Sequence, residues 1–234
     1  MSKQNNQPFM RRIRSFVKRE GRLTPAQARA LQQWWPSYGL SLGAGRQDLT
    51  TLFGRDAETI LEIGFGDGSS FLTMAEQQPQ TNFIGIEVHR PGIGALLLGM
   101  VAHDIHNIRI YQEDAVEVLA ACIPEQSLAR VQLFFPDPWP KKKHHKRRIL
   151  QPEFIDLVHD KLKVGGVFHM ATDWQDYAEY MQRIMASVAG FINQETTGKF
   201  SPKPAYRPTT KFERRGQRLG HGVWDLLYEK VIQD

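Results

Sequence analysis

From Glu58 onward the chain alternates between two hydrophobic periods. Apolar, β-branched runs at Thr59–Phe65, Asn82–Val88, Ile108–Glu113, Val131–Phe135 and Gly165–Ala171 predict strands buried on both faces. Between them, Ser69–Gln78, Ile93–Asp104, Val116–Ile123, Pro152–Leu162 and Trp174–Ser187 have helical spacing, and Pro152 stands where a first helical turn accepts proline. Strands that alternate with helices imply a parallel sheet covered on both sides. The end breaks this rhythm. Phe191–Thr196 and Gly222–Val231 read as two strands with a long basic loop between them and no helix, which predicts an antiparallel hairpin. A dinucleotide-binding Rossmann domain would instead continue strand–helix–strand. The expected fold class is α/β: a doubly wound, Rossmann-like sheet, mostly parallel, with a C-terminal antiparallel hairpin.

Ahead of this pattern, Pro25–Gln33 is helical and is followed by Trp34-Trp35, and Gly43–Leu49 marks a boundary. Residues 1–48 therefore read as a basic N-terminal arm and helical region, and residues 49–234 as the main domain. With 41% hydrophobic and 24% charged residues in 234, the chain can build a sizeable core and is not globally disordered. No apolar run approaches the ~20 residues of a membrane-spanning helix; Ile93–Ala102 is broken by Gly94 and Gly99. The single cysteine, Cys122, excludes an intrachain disulfide and any multi-cysteine zinc site, and its apolar setting predicts a buried helix position. No apolar core of a secretory signal follows Lys3, and Arg-rich residues 9–22 suit a basic arm better than a transit peptide. The expected location is cytoplasmic.

Charge changes the picture through its distribution. Residues 1–22 hold seven Lys/Arg and one acid, residues 137–148 six Lys/Arg and two His against Asp137, and residues 199–218 seven Lys/Arg against Glu213. Residues 48–130 hold twelve Asp/Glu and only four Lys/Arg. An acidic middle framed by three basic segments suits a polyanionic partner gripped at several places, and nucleic acid neutralised at its phosphates fits best.

The first strand meets the first helix at Glu62-Ile63-Gly64-Phe65-Gly66-Asp67-Gly68. Gly64, Gly66 and Gly68, at alternate positions, let backbone approach a ligand at the carboxyl edge of the sheet. A dinucleotide fingerprint reads G-x-G-x-x-G; here the third glycine comes one position early, and Asp67 disfavours a pyrophosphate. Glu87 ends the second strand, where a carboxylate can take both hydroxyls of a ribose. Asp114 ends the third, where it can accept from an adenine amino group. Each acid alone has an ordinary strand-end reading. Together they read as an S-adenosylmethionine site of the class I methyltransferase type.

The fourth strand runs into Pro136-Asp137-Pro138-Trp139-Pro140, a stiff exit that holds the Asp137 carboxylate beside that site and offers Trp139 for stacking on a base. Lys141-Lys142-Lys143-His144-His145-Lys146-Arg147-Arg148 follows as a landing strip for phosphates. The adjacent histidines suit that basic face better than a metal, and no metal is expected.

On these motifs the chain resembles the bacterial tRNA (guanine-N7)-methyltransferases. The resemblance covers nearly everything from Thr51 onward. It is carried by the Glu62–Gly68 and Gly85–Val88 segments, by Phe135–Lys142, by Ala171-Thr172-Asp173-Trp174, and by Thr210-Lys211-Phe212-Glu213-Arg214-Arg215-Gly216. It implies methyl transfer to N7 of a guanosine in the variable loop of tRNA, at position 46. It further implies that Glu62, Glu87, Asp114 and Asp137 line the cofactor site and that Lys141, Asp173, Thr210, Lys211, Phe212 and Glu213 bind the substrate. Lys143, His144, His145, Lys146, Arg147 and Arg148 then lie along the RNA backbone. Asp137 is the expected catalytic residue, as an orienter of the base rather than an obligatory proton acceptor. Glu213 is expected to read the guanine N–H groups, and Asp173 alternatively to cap the helix from Trp174. The oligomeric state is left open, with a monomer favoured.

Overall fold

The computed structural model describes residues 21–197, 200–210, 213–214 and 222–232. The basic arm up to Glu20, together with Lys211 and Phe212, lies outside them. The strands are β1 Gly39–Leu40, β2 Thr59–Ile63, β3 Asn82–Ile86, β4 Ile108–Tyr111, β5 Leu128–Phe134, β6 Leu162–Thr172, β7 Phe191–Asn193 and β8 Trp224–Lys230. The helices are α1 Pro25–Tyr38, α2 Leu49–Phe53, α3 Ser69–Gln77, α4 Arg90–Ala102, α5 Ala115–Ala121, α6 Pro152–Lys161 and α7 Gln175–Met185.

They form one eight-stranded sheet ordered β1-β4-β3-β2-β5-β6-β8-β7. Strands β1 to β6 pair in parallel, while β8 lies antiparallel between β6 and β7. The mostly parallel α/β sheet and its closing antiparallel pair are the architecture expected from the two periods. β2 and β3 are buried at every position, as a strand covered on both faces requires. Leu119, Phe154, Val158, Phe168 and Tyr177 pack α5, α6 and α7 on one face. Leu31, Phe71, Met74, Phe83 and Leu97 pack α1, α3 and α4 on the other.

The differences from expectation have local causes. α1 runs on from Gln33 through Pro36 to Tyr38. A capping box starts it: Gln27 N–H donates to Thr24 Oγ1 (3.2 Å), and Thr24 N–H to Gln27 Oε1 (2.9 Å). β1 and α2, too short to show a period, were not anticipated. β6 begins at Leu162 instead of Gly165, because it pairs with Leu128 before a register irregularity and resumes at Val167. Strand order reverses between β2 and β5, so the carboxyl ends of these two strands open the crevice where ligands bind in such sheets.

Candidate active site

Two loops meet at that crevice. After β2 the chain turns at Gly64, Gly66 and Gly68 with φ of 76°, 62° and 76°, a left-handed region that glycine enters without a Cβ penalty. A Cβ built on Gly64 or Gly66 would meet only open space. Gly92 in α4 backs the loop so closely that a Cβ there would stand 1.9 Å from the Gly66 carbonyl oxygen. Glu87 fixes the loop from the side. Its Oε2 accepts from Gly66 N–H (2.9 Å), and its Oε1 from Val88 N–H (2.7 Å) and His89 N–H (2.9 Å). Asp67 turns onto the start of α3, where Oδ1 accepts from the Ser69 amide (3.1 Å) and hydroxyl (2.7 Å). The first amide of α3 is thus met by the chain's own carboxylate.

The second loop follows β5. Phe135 sits at φ 51° with its N–H bonded to Ala171 O (2.8 Å), and Trp139 at φ 44°. Two non-glycine residues in this region within five positions mark backbone held against its preference by its surroundings. The turn at Phe135 aims Pro136-Asp137-Pro138 across the mouth of the glycine loop.

Two clefts result. One, of about 240 Å³, is lined by Ile86, Glu87, Val88, Glu113 and Ala115. The other, of about 340 Å³, is lined by Glu62, Asp67, Ser69, Asp173 and Thr210. Gly64 and the Phe134–Asp137 segment line both, so Asp137 stands where the clefts meet. Glu62 is only 3% exposed. Burial pushes its carboxyl up to about 8; nearby Arg130 draws it down and Glu87 pushes it further up. The Gln132 amide, oriented to satisfy both neighbours, donates to Glu62 Oε2 (3.2 Å) and accepts from Arg130 Nε (3.1 Å).

These residues suit S-adenosylmethionine. Bare glycine backbone faces open space, a buried carboxylate is at hand for a cationic group, and a braced acid at the end of β3 keeps lone-pair capacity for ribose hydroxyls. Among the described residues, no group of three or more His, Cys, Asp or Glu is gathered as a metal site would need.

Not every expected residue faces the crevice. Asp114 caps α5, its Oδ1 accepting from Val116 N–H (2.9 Å), and the cleft there is lined by its neighbours Glu113 and Ala115. Asp173 lines the second cleft; the α7 cap is Trp174, which has no side-chain capping bond, and Thr172 Oγ1 takes the Trp174 N–H (3.2 Å). Thr210 and Glu213 form a capping box: Thr210 Oγ1 accepts from Glu213 N–H (3.0 Å) and Glu213 Oε2 from Thr210 N–H (3.3 Å). Glu213 is turned inward, 1% exposed, with Oε2 on Arg207 Nη1 (2.7 Å). Its carboxylate is committed to that cation, which disagrees with a guanine-reading role.

The basic strip folds as a short 3-10 turn over Lys142–Arg147. Lys141, Lys142, Lys143 and Lys146 are exposed. His144 is held below its ordinary value by desolvation and by Arg147 and its neighbouring lysines. Trp139 is already packed, with Arg147 5.0 Å over its ring and His144 edge-on at 5.9 Å. Arg148 departs from the expected phosphate-facing row. It is 3% exposed, lies 4.7 Å over both Tyr177 and Tyr180, and donates from Nε to Pro138 O (2.9 Å).

Sequence reasoning missed Arg130, Gln132, His169, Tyr206, Arg207 and Asp225. The signal available was a polar residue inside an apolar strand run, as in Val131-Gln132-Leu133 and Phe168-His169-Met170. Such a residue is buried and needs a partner.

Comparison with known proteins places this geometry. A family model described as "Putative methyltransferase" matches residues 56–226. The tRNA (guanine-N(7)-)-methyltransferase of Shewanella amazonensis is 58% identical over 223 residues, 95% of this chain and 94% of that protein. That of Alcanivorax borkumensis is 58% identical over 221 residues, 94% and 92% of the two chains. Among solved structures, the 16S rRNA methyltransferase KamB aligns at TM-score 0.55 and 17% identity, over 80% of this chain and 95% of that one. An rRNA methylase from Streptococcus thermophilus aligns at 0.51 and 12%, over 76% and 89%. These two show the fold, that of class I methyltransferases. The motifs, the crevice and the relatives agree, and the chain belongs to the bacterial tRNA (guanine-N7)-methyltransferase family.

Proposed function

We propose that this protein transfers a methyl group from S-adenosylmethionine to N7 of the guanosine at position 46, in the variable loop of tRNA. The observation that carries the reading is the meeting of the two clefts at Asp137, with exposed Lys141, Lys142, Lys143 and Lys146 beside it. The names of relatives sharing more than half its residues support the same activity.

The cofactor, when bound, supplies an electrophilic methyl group on a sulfonium. Glu87 and the glycine backbone would hold its nucleoside part, and Glu62 its cationic end. Guanine N7 carries an in-plane lone pair and no proton, so no base is needed to create the nucleophile. The chain's task is alignment within the crevice, which can contribute much of the rate on its own. As positive charge reaches the purine, the Asp137 carboxylate between the clefts and the Asp173 carboxylate on the wall of the second can stabilise it. Thr210 stands at the outer wall of the acceptor cleft, and the lysine row takes the backbone phosphates. The site works in the cytoplasm, where tRNA is available, and needs no metal.

Nucleoside analysis of unmodified tRNA, treated with the protein and labelled cofactor, tests the reading. It predicts N7-methylguanosine at position 46; any other methylated nucleoside, or none, overturns it.

A further inference from the structure

A row of buried polar groups crosses the sheet from Glu62, on the wall of the second cleft. Register sets Glu62 of β2 beside Gln132 of β5, and Gln132 beside His169 of β6. Gln132 bridges Glu62 to Arg130 as described, and the Arg130 guanidinium lies 3.7 Å over the Tyr206 ring. The Tyr206 hydroxyl meets His169 Nδ1 (2.9 Å), and His169 Nε2 meets Asp225 Oδ1 (2.8 Å). Burial holds the imidazole below its ordinary value, while Asp225 is held low by its bonds to His169 and Arg207 despite burial. In a neutral imidazole this pairing sets Nε2–H donating to the carboxylate and Nδ1 accepting a hydrogen bond from the tyrosine hydroxyl.

The row ends on Arg207. Its Nε and Nη2 form a fork on Asp225 (2.7 Å each), and Nη1 binds Glu213 (2.7 Å). Lys203 Nζ adds a second cation on Glu213 (3.2 Å). The guanidinium also lies 5.7 Å from the Phe135 ring, the residue whose left-handed turn aims Asp137. Arg207 thus touches the capping box that presents Thr210, the strand under it and the turn before Asp137. The loop carrying Tyr206, Arg207 and Thr210 meets β8 through a one-residue bridge, Ser201 with Asp225.

We propose that Tyr206 and Arg207 are positioning residues that couple the Glu62 and Thr210 walls of the second cleft, so that binding of the cofactor's cationic end sets the Thr210 loop for the acceptor base. Both ends of the row, Glu62 and Thr210, line the second cleft, Glu62 on the wall expected to meet the cofactor's cationic end and Thr210 on the wall expected to meet the acceptor base. A bidentate, charge-assisted fork is stiff enough to carry position between them. Coupling of this kind is reciprocal: each ligand tightens the other by the same factor. The inference rests on the proposed methyl transfer.

The test compares Tyr206→Phe and Arg207→Lys with the wild-type full chain. Tyr206→Phe keeps the ring under Arg130 and removes the hydroxyl that meets His169 and Arg130. Affinity for S-adenosylhomocysteine is measured by calorimetry with and without unmodified tRNA, beside kcat and KM for methylation. In the wild type, tRNA should tighten binding at least about fivefold. In both variants that factor should fall towards one, kcat should fall about tenfold or more, and KM for tRNA should change less. The cofactor affinity of free Tyr206→Phe should stay near wild type. A wild-type coupling factor of one, or one undiminished in Tyr206→Phe, overturns the proposal. So does loss confined to melting temperature and to both single-ligand affinities. If Arg207→Lys does not fold, Tyr206→Phe decides. Failure of wild-type protein to make N7-methylguanosine would instead strike the function reading.

Discussion

The Glu87 carboxylate accepts the Gly66 amide at 2.9 Å, and so ties the tip of the glycine loop to the end of the neighbouring strand. The same acid takes the amides of Val88 and His89. It is a brace for the cleft proposed to take the cofactor as well as part of that cleft's wall, and its removal acts on both.

Glu87→Ala should therefore weaken S-adenosylmethionine binding far more than tRNA binding. Hydrogen bonds to a charged group are worth roughly 1.5–3 kcal/mol each. Loss of even one implies about a tenfold or larger rise in the cofactor Kd, which calorimetry reads directly. Unchanged cofactor affinity would remove Glu87 from the site. Gly92→Ala should weaken the cofactor without touching it, because the new methyl collides with the Gly66 carbonyl.

Glu62 predicts a pH dependence. Its carboxyl is raised from 4.5 to about 8 by burial, so at neutral pH the free protein holds it mostly protonated. A cationic ligand favours the ionised form, so binding should expel a proton. Cofactor affinity should rise from pH 6 to about pH 8 and then level off, and the binding enthalpy at pH 7 should depend on the buffer's ionisation heat. For folding the sign is opposite. The native state holds a proton the unfolded chain has lost between about 4.5 and 8, so stability is fullest below that window and declines as pH rises through it. Glu62→Gln should flatten both profiles, which titrations of affinity and melting temperature would reveal.

The basic strip separates into exposed and buried cations. Replacing Lys141, Lys142, Lys143 and Lys146 by Ala should flatten the salt dependence of tRNA binding, by roughly 0.7–0.9 in the slope of log K against log salt per lost phosphate contact. Cofactor affinity should stay the same. Arg148→Ala should do the reverse: the salt slope holds while the melting temperature drops, since it leaves two tyrosine faces and the Pro138 carbonyl without their cation. A slope indifferent to the four lysines would return them to an ordinary solvated surface.

Asp137→Asn and Asp137→Ala separate orientation from charge. If the carboxylate orients, Asn keeps its shape and one acceptor oxygen and retains some activity, while Ala loses more. If it offsets the charge arriving on the purine, both variants are similarly poor and the loss falls on kcat. We expect a mixture of the two. Near-wild-type turnover in both variants would sink each role.

Local pattern determined a great deal about this protein. Strand and helix periods differ within a few residues, so the wound sheet and its terminal hairpin were legible in the order of apolar positions alone. So was the glycine turn, because alternate glycines have few other uses at a strand–helix junction. The roles of Glu213, Arg148 and Asp114 were not legible, because a charged side chain reads the same in sequence whether it faces water or a partner. Only the fold decided that Arg207 meets Asp225, 18 positions on, and that Asp225 meets His169, 56 positions back. Burying such groups is costly unless each finds its counterpart with good geometry. Those counterparts come from strands and loops that adjoin only once the sheet has assembled.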